Sequence, residues 1–286
     1  MGVQMRYFLA KTAVSVFGVA LAHAQISGSA GGSGLTGYHG TMEFSNPPGF
    51  ALVAVAGAPY SGEQTGESTQ TLADGTHITR KNSTAKAFRD SAGRTRLERP
   101  AFPVPPTNSS QVDMPIIVEI TDPVTQVKYV LDSDKKIAHR QQFHSRPLAA
   151  VPNQAEASTV ILKPAPGTYS GTSRTNSQAQ QSSDEKLGTD TIEGLLVQGH
   201  RHTTTFPEGS QGNDRPISTV VEWWTSPELK VPILTKTTDP RSGEHTQRLT
   251  NISRAEPSPD LFQPPPDYTV VDESGSFSIK WGNQPQ

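Results

Sequence analysis

Apolar residues in this chain recur with a period of two, and that alternation decides what it can fold into. Ile116, Val118 and Ile120 mark one face of one segment, and Val127, Tyr129 and Leu131 mark the next. Successive side chains of a strand point to opposite sides, so this spacing describes half-buried sheet. Beyond the first 25 residues no stretch carries three turns of amphipathic helix. The expectation is a mainly β protein: a curved antiparallel sheet, half-barrel-like, with few or no long helices.

Turn residues divide the strands. Asp74-Gly75 is a strong hairpin dipeptide between Thr69–Leu72 and Thr76–Lys81, and Asp90-Ser91-Ala92-Gly93 separates Thr84–Arg89 from Arg94–Arg99. Asp122-Pro123 and Asp132-Ser133-Asp134 punctuate a meander that Ile137–Gln142 closes. Further on, Thr191–Glu193, Leu195–Thr205, Ile217–Thr225, Val231–Thr238 and His245–Ser253 read as five strands. Pro257–Phe262 reads as a single helical turn before a last strand, Tyr268–Val271.

The first residues have another use. Arg6 and Lys11 precede an uncharged apolar run, Thr12–Ala22, and Ala22-His23-Ala24 offers small residues before Gln25. This is the order of a secretory signal, and the run is well short of the ~20 residues a span requires. The organisation expected is therefore a signal peptide at 1–24 and a Gly/Ser-rich linker at 25–45. One β domain follows in two parts, 46–142 and 187–272, around a low-complexity connection at 143–186, with a polar tail at 273–286. The Ser/Gln/Pro composition of the connection cannot bury enough apolar surface to offset ordering entropy, although Thr159–Leu162 could pair. The expectation is an exported protein, periplasmic or extracellular, without a transmembrane anchor.

The chain has no cysteine and a formal charge of −2. Thiol chemistry, disulfides and Cys-based zinc sites are thereby excluded, and a polyelectrolyte binder is disfavoured.

Two stretches resemble a bacterial family of uncharacterised exported proteins: Ser68–Ile78 continuing to Phe88–Glu98, and Leu187–Gly194 through Trp224–Leu229 to Tyr268–Val271. That resemblance implies no chemistry. Leu249–Phe262 with Pro266–Val270 is similar to the closing strands of LolA-type lipoprotein carriers. The likeness implies a curved sheet around an apolar cavity covered by helices, but no lid helix is evident in the sequence.

Three sets of residues are candidates for a site. His200 and His202 project from one strand face, and they would hold a metal if a third ligand, His245 or a carboxylate, came from a neighbouring strand. A solvated sheet face is the competing reading. Trp223 and Trp224 must point to opposite faces. Trp223 shares its face with Ile217 and Val221 and is expected in the core, which leaves Trp224, beside Val220, as the ligand-binding candidate. Arg80, Lys81, Lys86, Arg89, Arg94, Arg96 and Arg99 crowd the first β region, where they would form a basic face for an anionic partner or be interspersed with acids.

No Gly-x-Ser-x-Gly elbow, His-Glu-x-x-His or phosphate loop occurs. The expectation is a binding or envelope-associated protein, not an enzyme, with no cofactor. It would take a lipid or other amphiphile or an envelope protein, and would not bind nucleic acid. The alternatives are a secreted hydrolase or metal-dependent enzyme built from dispersed residues, and a structural or interaction module.

Overall fold

The computed structural model describes residues 25–27, 40–44, 55–81, 84–101, 115–143 and 181–281. Within them a thirteen-stranded sheet and a three-stranded sheet hold nearly all the regular structure. The only helical piece among the described residues is the single turn η1 (Pro259–Phe262). The mainly β expectation therefore holds.

Across the large sheet the order is β10 (Gln181–Ile192), β11 (Leu195–Phe206), β12 (Ile217–Ser226), β13 (Val231–Asp239), β14 (Gly243–Ser253), β3 (Tyr60–Thr71), β5 (Ala85–Arg89), β6 (Thr95–Pro100), β7 (Ile116–Asp122), β8 (Val127–Asp132), β9 (Ile137–Gln142) and β15 (Thr269–Asp272). A short strand, β4 (His77–Lys81), hangs on β3 beyond the Asp74-Gly75 turn. Every pairing is antiparallel except that of β15 with β9. The sheet is open, with β10 at one edge and β15 at the other. Register shifts at Lys186/Gly188, Trp224/Thr225 and Thr250/Ser253 are bulges, which bend and twist a sheet.

Local sequence explains the turns. Glu193 and Gly194 both have positive φ, 52° and 71°, and link Ile192 directly to its partner Leu195. That is the two-residue hairpin whose twist matches that of the strands. Gly243, at φ +90°, opens β14, where an added Cβ would run into the Thr69 carbonyl oxygen.

The seam of the molecule is the β14–β3 ladder, which runs from Glu244↔Thr69 to Ser253↔Ser61 and joins the two ends of the chain in one sheet. Beside it Arg89 is buried and stacks on Tyr60, 4.8 Å from the ring centroid. Its guanidinium donates to the Ala58 carbonyl at 2.7 and 2.9 Å and also to the carbonyl of Leu229, in the β12–β13 turn. Burial pulls the Arg89 pKa below its ordinary value and pushes the Tyr60 phenol up.

The core differs from the one-sided expectation. Val118 and Ile120 pair with Leu131 and Tyr129 as the alternation implied, and they pack with Ala138 and Phe262 on one face. The opposite face of the same strands is also covered. Ile117 and Val130 are fully buried beneath Met42, Phe44, Ile279 and Trp281. These belong to the small sheet, made of β1 (Gln25–Ser27), β2 (Gly40–Phe44) and β16 (Phe277–Trp281).

Residues expected as linker and polar tail thus supply a second layer. The physical reason is the alternation Met42-x-Phe44 and Phe277-x-Ile279-x-Trp281, three or five residues long and hidden among Gly, Ser and Asn. The boundary of the connection also moves, because β10 begins at Gln181 and takes in Glu185 and Lys186. Its twelve residues are held by pairing to β11, while their side chains stay exposed apart from half-buried Leu187 and Ile192. Phe50–Ala54, Phe102–Pro106 and Thr159–Leu162 lie outside the described residues.

Candidate functional site

An open cleft of about 500 Å³ lies where the closing segment crosses the ends of β6, β7 and β8. The β6–β7 register places Thr95 opposite Thr121, which brings Arg94 and Asp122 face to face just beyond the ladder. The Arg94 amide and Nε bind Asp90 at 2.8 and 2.6 Å, and its guanidinium lies over the Phe262 ring, 5.1 Å from the centroid. Its two terminal nitrogens have no hydrogen-bond partner among the described residues.

Asp122 accepts the amides of Val124 and Thr125 at 2.8 and 3.1 Å through Oδ1, so this carboxylate is fixed by its own turn. Arg94 and Asp122 are not joined by an ion pair, although both line the cleft.

Tyr129 and Phe262 form the floor, and the run Gln263-Pro264-Pro265-Pro266 continues to Tyr268 and Val270 as the far wall. That wall is held by β15. Arg140 on β9 donates to Asp272 at 2.5 and 2.7 Å and also reaches Tyr129; the Asp272 hydrogen bonds are the main reason its pKa lies above the ordinary value. Lys136 pairs with Asp267 at 3.3 Å and lies over the Tyr268 ring. Behind the near wall, Glu256 accepts from the amide of Ser91 at 2.9 Å and from its hydroxyl, which ties the closing segment to the β5–β6 turn.

The sequence candidates lie elsewhere. Trp224 packs on the core cluster of Leu195, Val197 and Ile233, directly over Gly199, where an added Cβ would come within 2.6 Å of its ring. Trp223 points the other way, stacked on His200 at 5.8 Å, and like Trp224 is half-buried. The expected assignment is reversed: Trp224 is the core member. Alternation within β12 is unbroken, since its register with β11 is constant from Ile217 to Thr225; the core formed over the Trp224 face, where Leu195, Val197 and Ile233 lie. Val220 lies between half-buried Thr203 and exposed Thr238 and is not gathered with Trp224 into a pocket.

The histidines do share one face, because His202 pairs with Val221, Val221 with Thr237, and Thr237 with His245. That register also puts His245 three strands from His202, about 14 Å at the usual interstrand spacing and too far for a common metal ion. His202 instead meets Asp184 at 2.7 Å. No metal-binding group of three or more His, Asp or Glu is present among the described residues.

Of the two readings of the basic residues, interspersed charge fits four of the seven, while Arg80, Lys81 and Lys86 stay exposed. Arg89 is buried, Arg94 binds Asp90, Arg96 binds Glu98 at 2.7 Å, and Arg99 binds Glu119 at 2.8 Å. Burial alone would raise the Glu119 carboxyl, but Lys128 and Arg99 on either side hold it below its ordinary value.

A charge ladder crosses the other half of the sheet. Register aligns Glu185, Arg201, Glu222, Lys236, Thr246, Glu67 and Lys81 on one face, one residue per strand. Arg201 reaches both Glu185 and Glu222, at 2.9 and 2.6 Å.

Sequence reading missed the cleft. Its available signal is the proline triplet between Phe262 and Tyr268, which rules out a regular strand there and keeps two aromatic residues at a fixed separation.

No family model and no curated protein matches the sequence. Solved structures with a related course of chain include the Pseudomonas aeruginosa MucA/MucB complex, at 13% identity and TM-score 0.37. That alignment covers 75% of this chain and 58% of the other, so this chain spans under two thirds of its length. An uncharacterised conserved protein from Thermus thermophilus aligns at 8% identity and TM-score 0.36, over 76% of this chain and 91% of the other. The lipoprotein-sorting class that Leu249–Phe262 resembles is also present. A candidate outer membrane lipoprotein-sorting domain from Vibrio parahaemolyticus aligns at 7% identity and TM-score 0.25, over 71% and 89%. At such scores these likenesses carry no inference about ligand or partner. No helix of the described residues is long and apolar enough to cross a membrane.

Proposed function

We propose that this is an exported binding protein that carries out no covalent chemistry and takes its ligand in the cleft beneath the proline run. The observation that carries the reading is the wall chemistry. Aromatic and proline surfaces surround one guanidinium with unused donors and one carboxylate, the pattern of a pocket that orients a ligand by a few polar contacts. Asp122 is tied by two backbone amides and Arg94 by Asp90, so both charges are fixed before anything binds. Such preorganisation favours recognition. The half-polar lining suits a ligand with polar and apolar faces better than a bare hydrocarbon chain.

A protein partner is the second reading, favoured by the twelve-residue edge strand β10, whose outer backbone edge has no neighbouring strand among the described residues. Native mass spectrometry of the protein purified from its own host, beside the Tyr268→Ala variant, tests the first reading. A small-molecule adduct on the wild type that is lost in the variant is expected. If neither form carries an adduct, and host small-molecule extracts leave the NMR signals of cleft residues unmoved, the reading fails.

A further inference from the structure

The geometry points to a neutral, hydroxyl-rich ligand, a saccharide, as the occupant of this cleft. The inference rests on the binding-protein reading and adds the ligand class. Charge is the first argument. Arg94 and Asp122 stand opposite each other on neighbouring strand ends, both on the lining and not paired with each other. An anionic ligand seated between them would be repelled by Asp122 and by Asp90. A cationic one would meet the Arg94 guanidinium, whose charge Asp90 already holds in an ion pair. A neutral ligand that both donates and accepts hydrogen bonds satisfies the two together, and vicinal hydroxyl groups do this. Hydrogen bonds to ionised partners are the stronger kind, so a few of them suffice in an open site.

The second argument is the shape and polarity of the remaining walls. Tyr129 and Tyr268 present aromatic surface, Pro264 and Pro266 add rigid apolar surface, and buried Phe262 supports Arg94 from below. A pyranose has C–H patches that pack on ring faces while its hydroxyls point outward to the polar rim. The rings are held in advance: Phe262 is buried beneath Arg94, and Tyr268 is covered on one side by Lys136, 4.9 Å from its centroid. A volume of about 500 Å³ lies within the range of ligand pockets and exceeds the needs of an ion. Because the cleft is open, a longer glycan can pass through it with only part of its length held.

The test is a glycan array carrying neutral and acidic oligosaccharides, probed with the mature protein and followed by calorimetry on the glycans bound. Neutral glycans should bind. Affinity should fall about tenfold or more in Tyr268→Ala, which removes a stacking ring, and in Arg94→Lys, which keeps the charge but loses the planar fork. Thermal melting of Tyr268→Ala, a partly exposed position, serves as the folding control.

Three results would overturn the inference: binding confined to acidic glycans, neutral glycan binding that neither variant weakens, or no glycan binding at all. In the last case, a non-sugar adduct on the host-purified protein that Tyr268→Ala abolishes would leave the binding-protein reading standing. An empty wild-type cleft in that measurement would remove both.

Discussion

At the residue scale, adjacent side chains of the same kind have different duties. Trp224 fills the space over Gly199 and borders the core, while Trp223 lies on His200 at the surface. Trp224→Ala should therefore cost about 3 kcal/mol, and Trp223→Ala much less. Chemical denaturation of the two variants side by side measures the difference, and equal losses would contradict the packing described.

Arg89 is a second case. Its replacement by Leu leaves the carbonyls of Ala58 and Leu229 without their charged donor in a buried place, at a cost of about 3 kcal/mol. Denaturation midpoints compared with those of Arg96→Leu, whose partner Glu98 is less buried, would show it.

Glu119 gives a pH dependence with a defined sign. Its folded carboxyl titrates below the ordinary value of 4.5, so its contribution is complete above that pH and is lost as pH falls through the folded value. Between about pH 5 and pH 3 the melting temperature of the wild type should fall more steeply than that of Glu119→Gln, a comparison for scanning calorimetry.

At the element scale, the closing segment does more than finish the chain. η1 puts Phe262 into the cluster formed by Val118, Ile120, Leu131 and Ala138, and β15 runs parallel to β9 to hold the wall of the cleft. Phe262→Ala should cost about 3–5 kcal/mol and loosen the cleft with it. Hydrogen exchange should show that amides of Thr269–Asp272 lose protection in this variant, while those of β11–β13 keep theirs. The edges of the sheet carry their own safeguards. β10 has Asp184, Glu185 and Lys186 beside a bulge at Gly188, charges and irregularity of the kind that discourage uncontrolled strand addition.

At the scale of the whole molecule, the β14–β3 ladder pairs residues nearly two hundred positions apart, from Thr250↔Glu63 to Glu244↔Thr69. The loop-closure entropy of such contacts must be met before they stabilise anything, so folding should be slow, on the order of milliseconds to seconds. Stopped-flow refolding monitored by Trp fluorescence would measure this. A protease cut between residues 144 and 180 should leave the two fragments together on gel filtration without denaturant, because the ladder and the Arg89 contacts to Leu229 still join them.

The sequence by itself determined most of the strands and turns from Thr84 to Gln142 and from Leu195 to Ser253, but not β2, β16, the first half of β3 or the start of β10. Alternation at Ile116–Ile120 and Val127–Leu131, and Gly at Asp74-Gly75, act over a few residues and have one local solution. Only the tertiary structure decided which face of each strand is covered. The core formed over the Trp224 face of β12, with Val197 and Ile233, and short alternating runs in the supposed linker and tail supplied a second layer over Ile117. Register between distant strands kept His245 away from His202 and brought Arg94 opposite Asp122. Burial and register depend on contacts between residues far apart in the chain, and period and composition hold no record of which distant segment will supply them.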